Sequence, residues 1–554
     1  MNDPTLRIVL NGTAMSVPSG TRIDALLDDD HRHLGPFQPL GALVNNRPVG
    51  LSYALRANAT VTTLDLSSRE GMDIYRRTAS AILYAAVLQI SPDLKISVGQ
   101  SIGMGSYFFE VLGVEADHKF LDTLRSHMRE LIRNKTLITV ERTTVEDATE
   151  RLEKIGAFDQ AKLTRQRRLH EVLLVHLDQY IGLLHGPIAN NAGAIDRFAL
   201  YAYEHGIVLD FPNERGELLE QFVPQPKLFN IYLETKKWNQ LVRTETIGDL
   251  NNHCIHGTIS DLVKVTEALH EKKIAAIADT IAADRDIRLI LIAGPSSSGK
   301  TTFSKRLAIQ LKVHGIEPVG ISIDSYYRPH NEIPRHPDGI CNFECIEAID
   351  TPHLNDHLKK LLEGKAVELP AYSFHTGERL AHRAKHITLE KDQILIIEGI
   401  HGLNEVMSAS VDHAHKFKIY VSALTQLCID AHNRIFTTDS RLCRRIIRDR
   451  LFRGTSAAET IAMWPSVRAG EQKYIFPYQE DADVMFNSAL MYEHALLKPL
   501  AERFLAEIPR EHPSFMEASR LLRFFDYFIP IMPNEVPHNS LLREFIGGSS
   551  FKYG

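Results

Sequence analysis

Hydrophobic and polar positions alternate with period two near the start of the chain, in Leu6-Arg-Ile-Val-Leu10 and again around Met15 and Val17. Asn11-Gly12 lies between the two runs. That pair between alternating runs predicts a tight β-hairpin. Pro18-Ser-Gly-Thr21 then punctuates the pattern, and Ile23, Leu26 and Leu27 share one helical face. Strand-like runs return near Ala42 to Val44 and Val61 to Leu66. The order ββαββ over residues 1–66 predicts a β-grasp unit. Residues 70–225 carry mixed signals and predict an α+β unit. Ile74 to Ile90 and Ala116 to Arg133 have helical spacing, Tyr107 to Val114 is strand-like, and Leu163 to Leu184 again spaces its apolar residues as a helix would.

From 226 to 287 the chain is mostly polar with helical spacing and lacks Gly/Ser or Pro runs, so it predicts a helical connector. At 288 the pattern changes. Short β-branched runs at Arg288–Ala293, Pro318–Ile323, Gln393–Ile397, Phe417–Val421 and Asp483–Phe486 alternate with amphipathic helices. Such alternation predicts βαβ units and a parallel sheet flanked by helices over 288–500. A helical extension, 501–554, follows. The fold class expected is a multidomain α/β protein.

Composition narrows the class. The chain has 554 residues, 44% of them hydrophobic and 24% charged, which is ordinary for globular proteins. With 63 basic against 69 acidic residues the formal charge is −6, which argues against a chain coated for nucleic acid but leaves room for a local basic patch. Five scattered cysteines make no disulfide framework. The N-terminus lacks the apolar core of a signal peptide, and no apolar run reaches membrane-spanning length. These readings predict a soluble, cytoplasmic protein.

The sharpest chemical signal is Gly294-Pro-Ser-Ser-Ser-Gly299-Lys300-Thr301, a complete P-loop placed after one apolar run and before a helix. Its glycines let the backbone wrap a phosphate, and the helix N-terminus adds a favourable dipole. Lys300 has the reach for β and γ phosphates, and the Thr301 hydroxyl can ligate Mg²⁺. Glu398 ends the apolar run Ile394–Ile397, where P-loop proteins present a metal-binding acid, usually Asp. The lesser alternative is an ordinary acid at a strand end. Asp324 ends the run Ile321–Ile323, at the sheet edge where open α/β folds bind ligands. There it can act as a general base towards an attacking alcohol, or simply cap a turn.

Arg441, Arg444, Arg445 and Arg448 recur at helical spacing, with Arg450 and Arg453 following and only Asp439 and Asp449 as nearby acids. The stripe reads as a phosphate-clamping lid or as a surface or partner face. His330, His336, Cys341 and Cys345 suggest a metal by residue type, yet their spacing fits no usual zinc pattern. Phe524-Phe-Asp-Tyr-Phe528 reads as a packed helix.

With these motifs in order, residues 288–500 resemble the uridine kinase and phosphoribulokinase family. The PSSSGKT loop, Asp324-Ser-Tyr-Tyr-Arg328, Asn342-Phe343, Glu398-Gly399 and Asp439–Asp449 carry the likeness. The resemblance implies ATP- and Mg²⁺-dependent phosphoryl transfer to a sugar hydroxyl. Asp324 would be the base, and Thr301 and Glu398 would hold the metal. It implies nucleotide binding by Gly294, Ser296, Ser297, Ser298, Gly299, Lys300, Thr301 and Thr302, with Arg444, Arg445, Arg448 and Arg453 closing over the phosphates. Tyr327, Glu344, Tyr372 and Arg379 would face the acceptor. Two departures separate the chain from the family's nucleoside kinases. Glu344 stands where they carry Asp, and His375 comes two residues early after Tyr372, so uridine specificity does not follow.

The front half resembles threonyl-tRNA synthetase. Residues 1–66 are similar to its TGS module and 70–225 to its second additional, editing domain, through Ser91–Ile102 and Phe108-Phe109. Where that domain carries two histidines, a Cys and a His for its metal, this chain has Arg77, Ala81, Leu184 and Ile188, which are not zinc ligands. The resemblance implies a scaffold without editing chemistry, free to bind RNA, a small regulator or a second copy of the chain. The expected activity is a kinase of a nucleoside or related sugar alcohol. The alternative is a nucleotide-controlled, RNA- or ligand-binding regulatory protein with weak or no turnover.

Overall fold

The computed structural model describes residues 5–27, 37–103, 105–335, 339, 341–373, 376–380, 382, 384–425 and 427–553. The opening hairpin pairs Thr5–Leu10 with Thr13–Pro18. Asn11 and Gly12 both have positive φ, 46° and 87°, the twist a two-residue hairpin turn requires. The first strand also runs parallel to Ala59–Leu64, which pairs in turn with Gly41–Val44. Two details depart from expectation. A fifth strand, Arg47–Gly50, joins the sheet, and the predicted helix is a single 3₁₀ turn, Ile23–Ala25, before the undescribed residues 28–36.

A long helix, Arg69–Ile90, leads into a four-stranded antiparallel sheet built from Lys95–Ile102, Ser106–Leu112, Ala199–Tyr203 and Gly206–Asp210. The helix His118–Arg133 packs beside it. The expected helix over 163–184 is a correction. Helix Phe158–Gln166 ends early, and Glu171–Leu177 and Tyr180–Leu183 form a hairpin that pairs with Ile138–Thr144. Asp178 adopts φ 52° in the two-residue turn between them. The apolar run Val172–Val175 satisfies either period, so only the turn distinguishes the two states.

Helices Pro226–Leu241, Ile247–Ile255 and Ile259–Ala283 fill the expected connector. Beyond them all five predicted strands lie in one parallel sheet, in the order Glu317–Ser322, Gln393–Glu398, Leu289–Ala293, Lys416–Ser422, Val484–Asn487. Leu289–Ala293 is buried along its whole length, as a central parallel strand must be. The helices Glu493–Ala506 and Phe515–Phe525 close one face, with Phe524, Phe525 and Phe528 in the core. No described helix is long and apolar enough to cross a membrane.

Candidate active site

The loop 294–299 leaves the central strand at the sheet's carboxyl edge and feeds helix Lys300–Val313. Two glycines are required there. Gly294, at φ 157°, runs so close to the Val421 carbonyl that a Cβ would collide with it, and Gly299 caps the helix at φ 87°. Ser297 takes φ 58°, unusual for a residue with a side chain. The Lys300 ammonium donates to the loop's own carbonyls, Gly294 O at 2.9 Å and Pro295 O at 3.2 Å. Burial lowers its pKa, while Glu398, Asp324 and Glu544 pull the other way.

Thr301 and Glu398 lie side by side. The Thr301 hydroxyl donates to Glu398, lying 3.2 Å from each carboxylate oxygen. Burial pushes Glu398 up to about 7, with Lys300 opposing. Asp324 begins the next wall of the cleft, in the 3₁₀ turn Ile323–Tyr326. That turn is capped by the Ser322 hydroxyl, which accepts the Asp324 N–H, so the Asp324 carboxylate is not the cap. The carboxylate is exposed to the cleft. The surrounding walls still raise its pKa by desolvation, against Lys300, Arg453 and Arg448.

Beyond Asp324, Tyr327 is buried and its hydroxyl donates to Phe343 O at 2.8 Å. Tyr372 lies 5.6 Å from its ring. Arg379 is paired with Asp350 at 2.9 Å and also donates to Tyr327 O. Its guanidinium therefore braces the backbone beneath Tyr327. Glu344 is pushed up to about 7 by burial, with Arg445 opposing. His336 and His375 lie outside the described residues. Cys341 and Cys345 point their thiols at the carbonyls of His330 and Asn342.

The arginine helix, Thr437–Phe452, carries the largest correction. Its stripe faces inwards. Arg444 is fully buried and forks onto Glu493 at 2.5 and 2.6 Å, with further bonds to Ser488 O and to the Ser297 and Ser298 carbonyls. Arg441 forks onto Glu471 and lies 5.4 Å from the Trp464 ring. Burial alone would raise the Glu471 pKa, but Arg441 and Arg468 hold it below the usual carboxylate range. These two arginines hold the loop from behind. Only Arg445, Arg448 and Arg453 remain near the cleft, gathered by the buried Asp449. Arg445 alone of the three touches the loop, donating to the Ser296 hydroxyl at 2.9 Å.

Three acids were invisible to the sequence reading: Glu471, which accepts the Ser296 N–H, Glu493, and Glu544, which accepts the Thr302 N–H. Nothing in their local sequence marks them. In the front half, Arg77 donates to Pro187 O, while Ala81 and Ile188 are buried in an apolar cluster with Leu184 packed against it.

Comparison with known proteins bears on residues 289–493, which match the model of the phosphoribulokinase / uridine kinase family. A uridine kinase of Brevibacillus brevis is 30% identical over 198 residues, 36% of this chain and 83% of that protein. The chain belongs to the phosphoribulokinase / uridine kinase family. A uridine kinase of Staphylococcus aureus is 32% identical over 202 residues, covering 36% of this chain and 86% of its own. Uridine kinase-like protein 4 of Arabidopsis thaliana is 30% identical over 216 residues, 38% of this chain and 41% of that protein. The loop, the Thr301–Glu398 pair, Asp324 and the arginine helix all lie within the matched family segment.

Proposed function

We propose that the chain is an ATP-dependent kinase that transfers the γ-phosphate to a hydroxyl of a nucleoside or a related sugar alcohol. The observation that carries this reading is the convergence of Lys300, the Thr301–Glu398 pair and the exposed Asp324 carboxylate at one edge of a parallel sheet. The backbone N–H groups of the loop from Ser297 to Thr302 cradle the phosphates, and Lys300 turns from its own carbonyls onto the β and γ oxygens. Asp324 accepts the proton of the acceptor hydroxyl as that oxygen bonds to the γ-phosphorus. The bond from the γ-phosphorus to the bridging oxygen breaks, and ADP leaves. Desolvation makes Asp324 a stronger base than an open carboxylate. Arg445, Arg448 and Arg453 face the transferring phosphate, whereas Arg444 shapes the loop. Tyr327, Glu344 and Tyr372 line the acceptor side, with Arg379 supporting Tyr327.

Thr301 and Glu398 suit Mg²⁺, since both offer oxygen donors and this cation is commonly held by one or two carboxylates together with substrate phosphates. When bound, it would neutralise charge on the β and γ phosphates. For the front half we read 1–66 as a TGS-like β-grasp unit and 70–225 as synthetase-like, without metal chemistry. The first reading is supported by the parallel pairing of the first strand with the last, and the second by Arg77, Ala81, Leu184 and Ile188.

The test is a panel of nucleosides and sugars incubated with the full chain and ATP, scored by mass spectrometry. At least one acceptor is expected to gain a phosphate in step with ADP release. A chain that binds ATP yet phosphorylates nothing in the panel and releases no ADP would favour the nucleotide-controlled binding protein instead.

A further inference from the structure

Residues 533–553 lie outside the segment that matches the family, and they pack against the phosphate loop. Leu541, Leu542 and Phe545 are fully buried in the same core as the kinase sheet. Leu541 covers Gly299 so closely that a Cβ there would strike it, and Phe545 lies 5.2 Å from the Arg444 guanidinium. The short helix Arg543–Ile546 presents Glu544 to the first turn of helix Lys300–Val313. One carboxylate oxygen accepts the Thr302 N–H at 3.2 Å and the Thr302 hydroxyl at 2.6 Å. The Tyr553 hydroxyl lies 2.9 Å from the same Thr302 oxygen and 3.1 Å from that of Ser549.

A phosphate chain bound where a loop meets a helix takes its hydrogen bonds from first-turn N–H groups, that of Thr302 among them. Here a carboxylate from 242 residues along the chain already holds that donor and brings a negative charge to the same place. Two anions cannot share one N–H, and the resident charge repels the incoming one.

We propose that the C-terminal segment is an intrasteric gate: Glu544 occupies the Thr302 donors in place of a nucleotide phosphate, and nucleotide binds as Glu544 withdraws. The gate rests on the reading of the loop as a nucleotide site. Its anchor is fixed, because Leu541 and Phe545 are core residues, whereas Glu544 is only half-buried and Tyr553 is exposed. Withdrawal therefore needs the Glu544 side chain and the last few residues to move, not the helix. A partner or ligand that engaged the C-terminus would open the site.

The experiment is calorimetric titration of the full chain with ATP, ADP and adenosine, in Mg²⁺, for wild type, Glu544→Gln, Glu544→Ala and Lys300→Ala. Removing a charged acceptor from its donors is expected to tighten ATP and ADP binding by about 10- to 100-fold in both Glu544 variants and leave adenosine unchanged. Thermal midpoints near wild type show that the half-buried position tolerates both substitutions, and Ala serves if Gln misfolds. Unchanged or weaker ADP binding in both Glu544 variants, with Lys300→Ala still losing affinity, overturns the gate and leaves the nucleotide site standing. No phosphate-dependent binding in any variant overturns both.

Discussion

At the scale of single residues, the proposed kinase reading turns on Asp324. It has two possible uses, as a base or as a turn cap, and the geometry separates them: Ser322 caps the turn, so the Asp324 carboxylate owes nothing to the backbone. Asp324→Asn keeps the shape and loses the ability to take up a proton. General-base assistance is typically worth about 10²–10⁴-fold, so turnover is expected to fall by that order. Nucleotide affinity and thermal midpoint should change far less than turnover, because the amide keeps the shape and the carboxylate is not the cap of the turn. Turnover, midpoint and ATP affinity measured side by side give the answer. A variant as active as wild type would leave the site without a base.

At the scale of elements, the arginine helix shows what a sequence can and cannot disclose. Its helical spacing was legible, and so were the five strands of the parallel sheet, since a strand buried on both faces is a short continuous apolar run. The P-loop was legible because its chemistry is contiguous. The direction the arginines face was not, because their partners are remote: Glu471 is 30 residues from Arg441 and Glu493 is 49 from Arg444. A stripe of cations without local acids reads as a surface, whereas here it is an interior strut. The hairpin at 171–183 was missed for a different reason, that its apolar run fits both periods. The strut has a testable consequence. Arg444→Ala leaves Glu493 buried and unpaired, a loss of about 3–5 kcal/mol where a buried pair is broken. The Arg453 side chain is 59% exposed, so Arg453→Ala should change stability by less than about 0.5 kcal/mol. Its effect should appear in turnover and in the KM for ATP. Urea unfolding and steady-state kinetics on the two variants check the division. Equal stability would return Arg444 to the cleft.

At the scale of the whole molecule, the family segment does not stand apart from the chain before it. The hairpin Cys428–Asp430 with Asn433–Arg434 reaches out of the kinase half and lies against the edge strand of the front half's antiparallel sheet, where Val98 N–H donates to Ala431 O at 2.8 Å. His432 stacks on Tyr84 at 4.0 Å and lies within hydrogen-bonding distance of Gln160. Asp430 sits fully buried between the halves. Its carboxylate meets His185 at 2.7 Å and accepts the His432 N–H and the Asn433 amide, while His185 reaches Tyr527, in the turn after helix Phe515–Phe525, at 2.6 Å. Burial alone would raise the Asp430 pKa, but His185 holds it below the usual carboxylate range. One side chain thus ties together three stretches that the sequence presents as separate units. Asp430→Asn keeps the volume and removes the charge that pairs with His185. Buried hydrogen bonds to a charged group contribute about 1.5–3 kcal/mol, so amide hydrogen exchange at Val98 should speed up about 10- to 100-fold. That amide reports directly, since its acceptor is the hairpin carbonyl. Exchange in Leu289–Ala293, at the centre of the kinase sheet, should not change, because opening the hairpin leaves that strand's pairing with Gln393–Glu398 and Lys416–Ser422 intact. If Val98 exchanges at the wild-type rate in Asp430→Asn, the buried charge plays no part in joining the halves.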